Sequence, residues 1–164
     1  MPRSKIYRSN AEKQRAYRRR KKGVAVILRS TKEEWETPQE IFDPLNEEFN
    51  FELDLAALPH NAKCSAFYTP VIDALKQEWQ GVCWLNPPYG SQLRHWIKKA
   101  YESANKGATI VCLLPARSCT TWWHDYVLPY AEIRYLRGRL KFSGATNSAT
   151  FPSAIVIFRP ASTV

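Results

Sequence analysis

Asn86-Pro87-Pro88-Tyr89 is the run in this chain whose residue types and order could do chemistry. It follows the short apolar run 82–85. Two prolines cannot continue a sheet ladder, because neither has a backbone N–H, so a strand must become a loop at Asn86. Such a loop suits methylation of a planar exocyclic amine. The lone pair of an amino group on adenine or cytosine is delocalised into its ring, which makes the nitrogen a poor nucleophile. Two acceptors holding both amino hydrogens would draw the nitrogen toward tetrahedral geometry and release that lone pair. The Asn86 side-chain oxygen and the Pro87 carbonyl are the expected acceptors. An amide cannot usefully take a proton, so Asn86 orients the amine and stabilises the positive charge developing on it. Pro87 and Pro88 stiffen the loop, and the acceptors need no reorganisation during reaction. Tyr89 offers a flat face for a base, with stacking worth roughly 1–3 kcal/mol. That works against the few kcal/mol that flipping a base out of a duplex costs. A proline-rich turn with a packed tyrosine is the plain alternative.

The elements on either side must position this loop. An alternation of apolar and polar residues over 49–55 predicts a strand, and the runs 82–85, 109–114, 133–136 and 154–158 predict four more. A further β-branched apolar run, 24–28, reads as a strand or docked extended segment. Thr37 is a candidate N-cap with Pro38 at the first helical position and Glu40 closing a capping box, followed by the apolar face of Ile41, Phe42, Leu45 and Phe49. Pro44 predicts a kink or a restart of that helix. The clearest helix begins after Ser91, runs through Leu93, Trp96, Ile97, Ala100, Tyr101 and Ala104, and stops at Gly107. A last helix is expected over 122–128. Strands alternating with helices signify an α/β sheet with covering helices, which binds ligands at the carboxyl ends of its strands.

The chain has 164 residues, 45% of them hydrophobic, so a single domain with a real core is expected. Its net charge of +9 is unevenly placed: residues 1–22 hold ten of the 24 Lys and Arg but one of the 15 acids, leaving 14 of each sign beyond. The expected organisation is a basic arm over 1–23, partly helical or disordered, and one domain over 24–164. Arg18, Arg19 and Arg20 in that arm point to a polyanionic partner. A merely solubilising tail is the other reading. No stretch is long and apolar enough to span a membrane. The four cysteines form no C-x-x-C pair, so no metal is expected and reduced thiols in a cytoplasmic protein are.

Five blocks carry a resemblance: Trp35-Glu36-Thr37-Pro38, the run Phe51-Glu52-Leu53-Asp54-Leu55-Ala56-Ala57, Trp84 through Gly90, Leu114-Pro115-Ala116-Arg117, and Arg137 through Phe142. In this order and spacing the chain, from about Trp35 to Phe158, resembles the DNA N-6-adenine methyltransferases of phages and prophages, the Dam family. The resemblance implies a single-domain Rossmann-like methyltransferase fold. It implies S-adenosylmethionine as cofactor and a flipped adenine of double-stranded DNA as substrate, acted on by a monomer in the bacterial host cell. It places Asn86, Pro87, Pro88 and Tyr89 at the reaction. Trp35, Thr37 and Pro38 would lie over the methionine end of the cofactor, and Asp54 and Ala56 would form the loop after the first strand. Asp73 would receive the amino group of the cofactor's adenine. Phe142 would contact the flipped base, with Arg117, Arg139 and Lys141 on DNA.

The chain departs from the wider enzyme class in two respects. Leu55-Ala56-Ala57-Leu58-Pro59 has no glycine where backbone usually passes close to the cofactor. About two dozen residues separate the first strand from Gly81, which is short for two further strands with helices, so a trimmed central sheet with helices on both faces is expected. Two other readings keep the residues and change the conclusion. The same loop could serve another planar amine, such as an RNA base, cytosine N4 or a protein glutamine. A degenerate domain could bind DNA without catalysis.

Overall fold

The computed structural model describes residues 35–161. The basic arm with Arg18, Arg19 and Arg20, and the apolar run 24–28, lie outside the described residues. A six-stranded sheet organises the rest. It consists of β1 (Leu53–Asp54), β2 (Ala66–Phe67), β3 (Val82–Leu85), β4 (Thr109–Pro115), β5 (Ala131–Tyr135) and β6 (Ser153–Phe158), in the order β2-β1-β3-β4-β6-β5. The first four strands in that order are parallel, and β6 runs antiparallel to both β4 and β5.

Successive side chains on a strand point to opposite faces, and both faces of this sheet are buried. On β4 and β6, Ile110, Cys112, Leu114, Ala154, Val156 and Phe158 pack into one cluster, while Val111, Leu113, Ile155 and Ile157 pack into a second. That is why these strands read as unbroken apolar runs. Helix α2 (Leu93–Asn105) covers the first face with Leu93, Ile97, Ala100 and Ala104, helped by Trp122 and by Trp123 and Val127 of the π-helical turn Trp123–Val127 that follows it. Helix α1 (Gln39–Phe49) covers the second with Phe42 and Leu45, helped by Leu140, Phe142 and Ala149 of the segment between β5 and β6. A short helical turn α3 (Leu128–Tyr130) leads into β5.

Three local expectations are revised. Helix α1 is continuous through Pro44, with neither break nor restart. Proline in a helix interior costs about 3 kcal/mol. Phe42 and Leu45 flank it and are both buried, and full burial of each such side chain contributes about 1.5–3 kcal/mol. The strand expected over 49–55 shrinks to Leu53–Asp54, because Phe49 still belongs to α1. Asn50 ends that helix in the left-handed region at φ 53°, where its N–H donates to the Asn46 carbonyl at 2.8 Å. Asparagine tolerates this conformation, and the Asn46 side chain accepts the next N–H, that of Phe51, at 3.0 Å. Helix α2 starts from Gln92 rather than Ser91 and has no side-chain cap, but it ends as expected at Gly107, whose φ is +108°.

The sheet is trimmed where the chain length demands it. Strands β1 and β2 are two residues each. Between β2 and β3 lies only a 3-10 turn, Ala74–Lys76.

Candidate active site

The carboxyl ends of β1, β2, β3 and β4 share one edge of the sheet. Pro115 pairs with Ser153 and Tyr135 with Ala154, so the connection between β5 and β6 leaves and returns at the same edge. Asn86, Asp54, Asp73, Arg117 and the segment 136–152 therefore gather there from five separate parts of the chain.

Asn86 is the first residue beyond β3, and its amide is held in one orientation. Its Nδ2 donates to the Trp35 carbonyl and, at 3.1 Å, to the Thr37 hydroxyl. A carbonyl can only accept, so the nitrogen must face Trp35 and the oxygen must face away. Asn86 Oδ1 is buried and has no hydrogen-bond partner among the described residues. A buried acceptor without a partner costs about 1–3 kcal/mol, so this atom is primed for a donor. The adjacent Pro87 carbonyl likewise takes no hydrogen bond among the described residues.

Thr37 does not cap α1, in contrast to the expectation from its capping box. The helix starts at Gln39 from Pro38, without a side-chain cap. Thr37 is buried at 3% exposure, because its hydroxyl is turned inward to Asn86 rather than toward the helix amides. Its segment is pinned from the other side. The Ser143 N–H donates to the Glu36 carbonyl at 3.0 Å, and Ser143 Oγ donates to the Thr37 carbonyl at 3.5 Å.

Tyr89 is anchored at its far end. Its hydroxyl donates to the Leu113 carbonyl at 2.9 Å, and burial of that end pushes the phenol well above its ordinary pKa. The residue as a whole is half-buried, and its ring lies edge-on to Phe142 and Phe151 at 6.1 and 5.7 Å. Trp35 lies 5.0 Å from Phe142 and edge-on to Phe151 at 6.0 Å. Four aromatic rings thus brace the loop that carries Asn86. Phe142 is only 2% exposed and packs against Trp35, Tyr89 and Phe151.

Asp54 closes β1 at 3% exposure. Its Oδ1 accepts the Ala56 N–H at 3.2 Å and its Oδ2 the Lys63 N–H at 3.0 Å. Burial raises its pKa, and these two backbone donors oppose the rise. The carboxylate therefore organises the loop over 55–63 and does not project into open space or water. Such a loop can hold a close backbone path without glycine, because a buried side chain fixes its amides. Asp73 stands in the turn after β2, in the left-handed region at φ 55°. It makes no side-chain cap to the turn it precedes. Its carboxylate is 39% exposed and pairs with Lys76 at 3.0 Å.

Arg117, Arg137, Arg139 and Lys141 are exposed and have no ion-pair partner among the described residues. Arg139 and Lys141 alternate with buried Leu140 and Phe142, so the apolar pair nails the segment down while the cations face outward. Among the described residues no group of His, Cys, Asp and Glu is arranged to hold a metal, and no helix is long and apolar enough to cross a membrane. Ser143, Phe151, Lys63 and Leu113 complete the site without having been singled out. Ser143 follows the block ending at Phe142, and the other three carry no local signal.

A sequence-family model described as DNA N-6-adenine-methyltransferase (Dam) matches residues 25–163. The DNA N-6-adenine-methyltransferase of Haemophilus phage HP1 (strain HP1c1) is 33% identical over 141 residues, which is 80% of this chain and 82% of the relative. The protein of the same description from Escherichia phage T1 is 35% identical over 109 residues, covering 65% of this chain and 45% of that longer relative.

Proposed function

The chain belongs to the DNA N-6-adenine-methyltransferase (Dam) family, and on that premise we propose how it carries out adenine N6 methylation of DNA: Asn86 and Pro87 receive the amino group of an adenine flipped from double-stranded DNA, beside S-adenosylmethionine. One observation carries the reading, the fixed Asn86 amide whose buried Oδ1 lacks a partner among the described residues. An exocyclic amine supplies the missing donor. Its second hydrogen goes to the Pro87 carbonyl. Neither acceptor is a base, so the nitrogen sheds its proton after methyl transfer. Tyr89 receives the ring of the base.

The residues present fit the cofactor. When bound, it supplies a methyl group activated by a positively charged sulfur. Trp35, Thr37 and Pro38 lie beside Asn86 and lead into α1, whose start has no side-chain cap, so a carboxylate is welcome there. The loop held by Asp54, with Ala56 in it, borders the same space from β1. Asp73 has a half-exposed carboxylate with which to accept from an amino group on the cofactor's adenine. Arg117, Arg139 and Lys141 meet phosphate, joined by Arg18, Arg19 and Arg20 of the arm.

Plasmid exposed to the protein and labelled cofactor, then cut with methylation-sensitive nucleases, tests the assignment. Protection by the intact protein and none by Asn86→Ala is the expected result. Label in ribosomal RNA with none in DNA, or full protection by Asn86→Ala, would overturn it.

A further inference from the structure

The 3-10 turn Ala74–Lys76 comes directly after Asp73, and its backbone satisfies the Ala74 carbonyl through the Gln77 N–H at 3.1 Å but leaves the Leu75 carbonyl without a backbone donor among the described residues. Two side chains from elsewhere reach these carbonyls. Trp79 Nε1 donates to the Ala74 carbonyl, and Lys99 Nζ, reaching from the middle of α2, donates to the Leu75 carbonyl, both at 2.8 Å. The two donors support each other. Lys99 Nζ sits 5.4 Å above the Trp79 ring, and Trp79 stacks on Trp96 of α2 at 6.0 Å.

The turn needs such support. A surface cavity of about 220 Å³, lined by Leu75, His95, Lys98, Lys99 and Glu102, lies against it, so apolar packing is missing on that side and Lys99 spans the gap. Asp73 is held at φ 55° and ψ 82°, left-handed backbone that aspartate tolerates better than most residues but that still favours glycine, so support from its neighbours steadies it. Its own ion pair contributes little to this, because Lys76 is 79% exposed. Burial lowers the Lys99 pKa, as expected for an ammonium that has exchanged water for a carbonyl and a ring.

We propose that Lys99 is a positioning residue for cofactor recognition: by holding the Leu75 carbonyl it fixes the left-handed Asp73, whose carboxylate receives the amino group of the cofactor's adenine. This rests on the reading of Asp73 given above. Among the described residues Lys99 makes no hydrogen bond to Asn86 or the loop beyond it, so its effect falls on cofactor binding and not on the chemical step.

The test measures the Kd for S-adenosylmethionine by calorimetry without DNA, then cofactor KM and kcat with DNA, for Lys99→Met, Lys99→Arg and Asp73→Asn. Lys99→Met is expected to weaken cofactor binding about tenfold, equivalent to about 1.4 kcal/mol, with kcat at saturation within about twofold. Lys99→Arg recovers most of the affinity, since it restores a donor of the same charge. An analogue with purine in place of adenine separates positioning from general loosening: wild type discriminates against it, and Lys99→Met loses that discrimination as Asp73→Asn does. Lower thermal stability with unchanged Kd and discrimination overturns the proposal. Weakened binding by Asp73→Asn with normal binding by Lys99→Met overturns it while leaving the reading of Asp73 standing. Normal binding by Asp73→Asn overturns that reading. Should Lys99→Met fail to fold, Lys99→Leu, which likewise lacks a donor, gives the same comparison.

Discussion

Asn86 Nδ2 and Thr37 Oγ1 are hydrogen-bonded at 3.1 Å across 49 residues of chain. With the Trp35 carbonyl, that bond decides which end of the Asn86 amide is left for the proposed substrate. Were the amide reversed, a donor would meet a donor and the amine could not bind.

Thr37→Val removes one of the two anchors. One net hydrogen bond is worth about 1 kcal/mol, so the single-turnover rate at saturating cofactor should fall roughly fivefold. Thr37→Ser, which keeps the hydroxyl, should retain most of the rate. A change confined to cofactor KM would instead assign Thr37 to the cofactor alone.

Tyr89 separates its two functions cleanly. Tyr89→Phe loses the bond to the Leu113 carbonyl but keeps the ring, and should stay within roughly fivefold of wild-type activity. Tyr89→Ala loses a stacking surface worth roughly 1–3 kcal/mol, so activity should fall by about 5- to 150-fold. Equal activity in the two variants would remove the base from that ring.

The outward cations should reveal themselves through salt. If Arg139 and Lys141 each neutralise one phosphate, the double substitution to Ala should flatten the log–log salt dependence of DNA binding by about 0.9 per contact. Cofactor affinity should not move. An unchanged slope in a binding titration over several salt concentrations would place the phosphates elsewhere.

Asp54 gives a pH signature. Its carboxyl is raised by burial above an ordinary 3.8, so the folded state binds that proton more tightly than the unfolded chain. Stability from this group is therefore greatest at low pH and is lost as pH rises from the ordinary value through the raised one. Glu48 and Glu132 act in the opposite sense. Hydrogen bonds from Arg134 to both, with Arg159 also on Glu132, hold them below 4.5, and their contribution is lost as pH falls. The readout is thus the difference between Asp54→Asn and wild type, not either melting curve alone. The variant loses an acceptor for one backbone N–H and should be less stable by about 1–3 kcal/mol at low pH. The deficit should narrow as pH rises through the window. A constant difference would show that burial does not raise this carboxyl.

Much of the sheet is legible before folding. The strand at Val82–Leu85 and the loop at Asn86 follow from an apolar run and two residues without N–H groups. The helix Leu93–Asn105 and its stop at Gly107 follow from spacing and one left-handed glycine. These are short-range rules, and neighbours in the chain suffice to apply them. They mislead where a neighbour breaks the pattern. Phe49 alternates properly with Phe51 and Leu53, yet Asn50 turns left-handed between them and gives Phe49 to the helix.

By itself, then, the sequence determined where the loop at Asn86 had to begin, which apolar runs would become strands, and which family the chain resembled. Only the tertiary structure decided what the polar groups do. Thr37 reads locally as a helix cap and is instead the anchor of Asn86. Asp54 turns inward to two amides, Phe142 packs against Trp35, Tyr89 and Phe151, and Lys99 reaches a carbonyl 24 residues earlier. Apolar periodicity is set by the geometry of one element, whereas a hydrogen bond needs its partner, and here each partner arrives only when the sheet brings distant segments to a single edge.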